Sequence, residues 1–261
     1  MPNYLSWNVY HGTIGGVTPV QRIVQIVTVG MLNNVDVICL QECPQTILDG
    51  AIGPFGTPGP ASPVVLALNA GAAGWAAFYS LRQAWSENNP NNPNSSVTAD
   101  GYLIFYRNAT FAGNGAFGYY QPNAFVDLIG NYLRPPVRLQ LNLAVGGVVT
   151  VMNWHANTGA PQVASAIAAL NALLGNANGQ PNLTVVLGDF NYGGPLNNLF
   201  AGLAPPFKNW DDWFVNITSP TGAPVSAGLD HILTSQPSVE ILAAVLTFKS
   251  DAYHYPLAVS V

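Results

Sequence analysis

Histidine and acidic residues are scarce in this 261-residue chain: four His, three Glu and nine Asp. Several stand where apolar runs end. Asn8 lies in the run 4–10, Glu42 directly follows the run 35–41, and His155 closes 148–155. Asp189 and Asn191 follow 183–188, Asp230 opens a run near 229–234, and Asp251 and His254 precede the last run at 257–261. Apolar strands that end in polar, ionisable side chains bring those side chains to one rim of a sheet. Carboxylates, amides and imidazoles at such a rim make binding or catalysis the default expectation. Taken singly, most have a plain structural explanation: Asn8 bonding backbone at a strand end, Asp189 and Asn191 forming a turn, His155 satisfied in a core. A Glu directly after a continuous apolar strand is harder to explain that way.

The elements that must carry these residues are readable. Residues 4–10 form a buried strand. Thr18-Pro19 is a helix start, a capping hydroxyl followed by Pro at the first helical position. Val20, Ile23, Val24, Ile26, Val27 and Met31 then recur at helical spacing. The β-rich run 35–41 follows, so the chain opens β-α-β. Residues 50–63 and 86–98, rich in Pro, Gly, Asn and Ser, are expected to be surface loops. Further strands are expected at 101–107, 148–155, 183–188, 229–234, 241–248 and 257–261. A second helix is expected at about 160–174, with Val163, Ile167, Leu170 and Leu174 on one face. No repeat or composition shift divides the chain, which reads as one domain over 1–261, with sheets covered by helices.

Composition narrows the class. Charged residues are 7% of the chain, against about 25% in ordinary domains. Lys208 and Lys249 are the only lysines. Drift in a secreted bacterial protein accounts for this; a toxin that avoids ubiquitin attachment in a host is the sharper reading. The formal charge of −5 gives no general attraction to nucleic acid, so any DNA contact needs a local positive patch or bound cations. No apolar run approaches the roughly 20 residues that span a bilayer. Met1-Pro2-Asn3-Tyr4 does not resemble a signal peptide; a secreted or exported effector is favoured, with a cytoplasmic location open. Cys39 and Cys43 are expected to be one buried and one half-buried thiol, unbonded because a strand and the turn after it hold them too far apart. No Cys/His spacing marks a zinc site.

Seven short motifs occur in order: Ser6-Trp7-Asn8-Val9, Asp36-Val37-Ile38-Cys39-Leu40-Gln41-Glu42, Arg134-Pro135-Pro136, Asn153-Trp154-His155-Ala156, Gly188-Asp189-Phe190-Asn191, Leu229-Asp230-His231-Ile232, and Ser250-Asp251 with His254-Tyr255-Pro256. Each alone is weak. Together, from residue 6 to 256, they resemble the endonuclease/exonuclease/phosphatase superfamily, in its DNase I-like branch and with similarity to the catalytic subunit of cytolethal distending toxin. The resemblance implies an α/β (α+β) DNase I-like four-layer sandwich, two packed mixed β-sheets flanked by helices, with the active site at one edge between the sheets.

It also implies roles. Phosphodiester cleavage needs an activated water, stabilised phosphoryl oxygens and a protonated leaving oxygen. Mg²⁺, with Mn²⁺ or Ca²⁺ as alternatives, suits the phosphate as a hard cation. Glu42 would be the main metal ligand, with Asn8 and Asp251 in or beside that site. His254 would be acid or base, oriented by Asp230, and His155 the second imidazole on the other side of the phosphate. Asp189 would position or deprotonate water, Asn191 would hold a phosphoryl oxygen, and Arg134 would contact phosphate with its planar fork. An Asp100–His155 support pair is expected. His11 is read as non-catalytic, able at most to reach substrate from its loop, and His231 as non-catalytic.

The last motif departs from the family's Ser-Asp-His-x-Pro. Two residues separate Asp251 from His254, which keeps His254 in place relative to Pro256 and pushes Asp251 away from the metal site unless a bulge restores it. The family tyrosine near the central strand has no clear match; Thr98 or Tyr102 lies closest. The leading expectation is a DNA endonuclease, with toxin delivery subunits as conceivable partners. The alternatives are a phosphatase or phosphodiesterase on a phosphoinositide, sphingomyelin or another small phosphoester, and an inactive binding subunit.

Overall fold

The computed structural model describes residues 2–32, 34–44, 47, 55–58, 62–66, 74–81, 100–120, 122–177, 183–192, 208–209, 229–235, 239–240, 254 and 256–261. At 29–32, 81, 100, 175–177, 208–209 and 239–240 it describes the backbone alone.

The chain opens β-α-β as its periodicity predicts: β1 (Asn3–Asn8), α1 (Pro19–Leu32) and β2 (Val37–Pro44). Helix α1 begins at a reciprocal capping box. Gln21 N donates to Thr18 Oγ1 at 3.3 Å, and Thr18 N donates to Gln21 Oε1 at 2.8 Å, satisfying two backbone N–H groups at the helix start. The strands β3 (Phe55–Gly56), β4 (Trp75–Leu81), β5 (Asp100–Arg107), β6 (Phe111–Tyr119), β7 (Val137–Leu143) and β8 (Val148–His155) follow. Then come α2 (Ala160–Ala177), β9 (Leu183–Asp189), β10 (Lys208–Asn209), β11 (Asp230–Thr234), β12 (Val239–Glu240) and β13 (Leu257–Ser260). Phe55–Gly56 pairs with β4 inside the segment read as loop. The expected loop at 86–98 and strand at 241–248 lie outside the described residues.

The strands form two mixed sheets, ordered β12-β13-β1-β2-β5-β4-β3 and β10-β11-β9-β8-β7-β6. Three buried apolar layers account for the sandwich. Tyr4, Cys39, Ile104, Leu139, Val151 and Val185 fill the space between the sheets. Leu5, Trp7, Ile38 and Leu40 face the other way and pack on Ile23, Ile26 and Val27 of α1. Met152, Trp154 and Val186 pack on Val163, Ile167, Leu170 and Leu174 of α2. Alternate residues of one strand thus serve two different cores, and the result is helix, sheet, sheet, helix. Among the described residues no helix is long and apolar enough to cross a membrane.

Strand β2 does not end at Glu42 as the sequence suggests. Leu40 pairs with Leu103 and Cys43 with Gly101, so β2 carries one extra residue there, a β-bulge. The extra residue inverts the alternation. Cys39 and Cys43, four apart, would face the same side of a regular strand; here Cys39 lies between the sheets and Cys43 lies in the core beneath α1. Both thiols are therefore buried, not one, and no disulfide joins them.

Candidate active site

The parallel pairs β1–β2 and β8–β9 point their C-terminal ends to one edge, and their registers bring the polar ends level. Asn8 lies opposite Gln41, His155 opposite Asp189, and Asp189 opposite Asp230 across the antiparallel β9–β11 pair. Strand β1 packs against β9 and β11, and β2 against β8 and β9. Local backbone geometry re-aims side chains at this edge. Tyr10, Glu42 and Asn191 all have positive φ (58°, 53° and 51°), a conformation uncommon for residues other than glycine and concentrated at functional sites. In Glu42 it is the bulge that supplies this turn.

The side chains converge. Asn8 Nδ2 donates to Glu42 Oε1 at 3.1 Å and to Asp189 Oδ2 at 2.9 Å. His155 Nε2 stands 3.8 Å from Glu42 Oε1 and 3.6 Å from Asp189 Oδ2. His254 Nε2 stands 3.6 Å from the same Asp189 oxygen, while its Nδ1 meets Asp230 Oδ2 at 2.9 Å. Since an ionised carboxylate only accepts, that Nδ1 carries the proton and Nε2 faces the site. Asn191 N donates to Asp189 Oδ1 at 2.8 Å and its Nδ2 to Ala156 O at 2.9 Å. His155, Asp189, Asp230 and His254 are all buried. Burial, then the neighbouring Asp230 carboxylate, push the Asp189 carboxyl up to about 7, against the lowering influence of His254, Asn8 and the Asn191 backbone.

Glu42, His155 and Asp189 each offer one ligand atom, all within 4.8 Å of one another, and Asp189, Asp230 and His254 do the same. Carboxylate oxygens backed by an Asn amide suit a hard divalent cation, and two close, buried carboxylates have use for a positive charge between them. The residues therefore fit a divalent metal, and their oxygen-rich character is the reason.

Arg134 is held beside this edge. Its N donates to Asn157 Oδ1 at 2.7 Å, its Nη1 to Ala156 O at 3.3 Å, and its carbonyl accepts from Trp154 Nε1 at 2.9 Å. Asp251 and the side chain of Asp100, and with it the expected Asp100–His155 pair, lie outside the described residues. His231, read as non-catalytic, contacts the Tyr192 carbonyl at 2.8 Å and packs on the Phe190 ring. The hydroxyl of Tyr102, one of the two residues nearest the family tyrosine in sequence, accepts from His155 N at 3.3 Å and lies 3.5 Å from His155 O; Thr98 lies outside the described residues.

Three contributions escaped the sequence. His11 Nδ1 lies 2.9 Å from Glu42 Oε2, so it reaches the site and not only its surroundings. Arg22, on a helix otherwise read for its apolar face, is buried under the loop after β1. Asn153 and Gln41, both fully buried, join the sheets through Gln41 Nε2 and Asn153 Oδ1 at 2.7 Å. The available signal was a polar side chain inside an apolar run, as in Val151-Met152-Asn153-Trp154.

Solved structures share this architecture. The human Nocturnin catalytic domain with bound sulfate aligns with TM-score 0.61 and 16% identity over 99% of this chain and 93% of that one. TDP2 of D. rerio, complexed with single-strand DNA product, aligns at 0.54 and 15% over 99% and 97%. A Bacteroides thetaiotaomicron mannosyl-6-phosphatase aligns at 0.59 and 13% over 100% and 99%. At such identities the likeness establishes the fold, a DNase I-like sandwich. No curated protein matches the chain. The model of the Endonuclease/Exonuclease/phosphatase family matches residues 5–251, nearly the whole length and every described residue of the edge except His254, and the chain belongs to that family.

Proposed function

We propose that this chain hydrolyses phosphodiester bonds with a divalent cation, Mg²⁺ first, and that its substrate is DNA. One observation carries the reading: Glu42, His155, Asp189 and His254 stand within hydrogen-bond or ion-pair distance of shared neighbours, close enough to surround one phosphate group. Glu42 and Asn8 would hold the cation, with Asp251 as the further candidate; when bound, it would neutralise charge on a phosphoryl oxygen. Asp189 positions and deprotonates the attacking water. Asn191, whose backbone N–H is spent on Asp189 and whose Nδ2 gives one N–H to Ala156 O, would offer its second amide N–H to a phosphoryl oxygen. The Asp230–His254 pair holds one imidazole with Nε2 inward and stabilises its protonated form, and His155 stands on the other side. Arg134, held at this edge through Asn157 and Ala156, would contact phosphate.

DNA is favoured by the motif set of the DNase I-like branch and by a fold relative solved with a DNA product. The toxin branch, delivery subunits and export from the producing cell rest on sequence motifs and composition alone. A small phosphoester is the second reading, favoured by the seven basic residues of the whole chain and by the mannosyl-6-phosphatase relative. An inactive subunit is disfavoured, because His254 reaches Asp230 despite the lengthened last motif.

The test is plasmid nicking with Mg²⁺ beside phosphate release from phosphoinositides and sugar phosphates, with Glu42→Gln as control. Nicking abolished by Glu42→Gln is the expected result. Phosphate release without nicking would move the assignment to the small-molecule reading, and activity unaffected by Glu42→Gln would sink the site.

A further inference from the structure

We propose that His11 is a positioning residue for Glu42, and that Arg22 anchors the loop that presents it. The inference rests on the cation reading of Glu42 given above. Glu42 is bracketed: Asn8 Nδ2 donates to Oε1 at 3.1 Å, and His11 Nδ1 meets Oε2 at 2.9 Å. Oε2 can only accept, so His11 donates through Nδ1–H. One bond on each oxygen leaves both with lone pairs for a cation, and the carboxylate is fixed in plane and direction before the ion arrives. Outer hydrogen bonds of this kind raise metal affinity by orienting the ligand.

A histidine whose side chain is 51% exposed would ordinarily lose rotamer freedom to make such a contact. The loop supplies the order in advance. Asn8 Oδ1 accepts from Tyr10 N at 3.0 Å, turning the chain at the left-handed Tyr10. The Tyr10 ring lies 4.9 Å from the His11 ring. Gly12 is the residue that permits this, since a Cβ there would stand 2.7 Å from Tyr10 Cε1. Beneath the loop, the Arg22 guanidinium donates to the carbonyls of Val9 (3.0 Å), Tyr10, Gly12 (2.6 Å) and Val17 (2.7 Å). Burying a guanidinium is costly unless its donors are met. Here a single loop meets them with four backbone carbonyls, so the ordered loop and the buried charge depend on each other. Asn8 at one end of that loop and His11 within it then grip the two oxygens of one carboxylate.

The experiment is Mn²⁺ binding to chelator-treated protein without substrate, by calorimetry, alongside the metal-free melting temperature. His11→Ala is expected to weaken Mn²⁺ binding about tenfold or more and to leave the metal-free melting temperature unchanged. His11→Asn, whose amide N–H falls near Nδ1, is expected to keep most of the affinity. Arg22→Lys, which keeps the charge but not the fork, should weaken binding in the wild-type background and add little in the His11→Ala background. Wild-type affinity in His11→Ala would overturn the inference. So would a loss in His11→Asn as large as in His11→Ala, because the imidazole would then be acting as a ligand. No Mn²⁺ binding by the folded wild-type protein would overturn the cation reading itself, and this inference with it.

Discussion

Asp189 is the residue on which the edge turns. Its Oδ2 lies within 3.6 Å of both imidazoles and accepts from Asn8, in a fully buried setting with Asp230 as its cross-strand neighbour. Burial and that second carboxylate raise its carboxyl from an ordinary 3.8 to about 7. A carboxyl raised in the folded state makes its full contribution to stability below the unfolded value and loses it as pH rises through the folded one. Between about pH 4 and pH 7 the metal-free native protein therefore holds a proton that the unfolded chain has released, and this residue's contribution falls as pH rises. Asp189→Asn mimics the protonated form at every pH. In the presence of chelator, melting temperatures across this range should show wild type declining relative to Asp189→Asn as pH increases. A constant difference would mean that the carboxyl ionises normally. A cation competes with the same proton, so Mg²⁺ should raise the wild-type melting temperature more at pH 8 than at pH 6.

At the scale of elements, the positions of these groups come from strand ends and from two irregularities. One is the bulge at Glu42. The other is Gly188, at φ 149°, where a Cβ would lie 1.8 Å from Trp154 O and 2.9 Å from Trp154 N. Trp154 is the β8 residue directly opposite, so only a glycine lets the two backbones meet just before His155 and Asp189 come level. Gly188→Ala must push the strands apart or twist the backbone, and is expected to cost about 3 kcal/mol or more. Chemical denaturation measures this directly; a variant as stable as wild type would show that the strands can part freely. Much of this level was legible. The apolar runs gave β1, β8, β9 and β11 to within two residues at either end, and Thr18-Pro19 gave the start of α1. The bulge was not legible, because Gln41-Glu42-Cys43 carries no glycine or proline to announce it; the extra residue shows only in the pairing with β5. Strand β6 escaped for a similar reason. Its exposed, glycine-containing sequence FAGNGAFGY lacks a continuous apolar face, and pairing with β7 is what holds it extended.

For the whole molecule, the site exists only if the two sheets keep their offset, since Asn8 and Glu42 belong to one and His155, Asp189 and Asp230 to the other. Apolar packing between sheets is non-directional and fixes distance better than offset. Directional contacts behind the site supply the rest. Gln41 Nε2 donates to Asn153 Oδ1 at 2.7 Å, and Asn153 Nδ2 donates back to Leu40 O at 3.0 Å. Both side chains are fully buried, and they immediately precede Glu42 in one strand and lie two residues before His155 in the other. Removing Asn153 takes away the short bond of Gln41 Nε2 and leaves it only the longer contacts to Ser6 Oγ and Cys39 O, both at 3.3 Å, so Asn153→Leu should cost about 1–3 kcal/mol. Removing both leaves nothing unsatisfied between them, and Gln41→Leu with Asn153→Leu should recover part of that stability. Catalysis should not recover with it, because two leucines pack without setting the offset that brings Glu42 to 3.8 Å from His155. Denaturation midpoints and kcat for the four proteins of this cycle decide the matter. If activity returns together with stability, the bridge is a filler of the core and the sheets are aligned by something else.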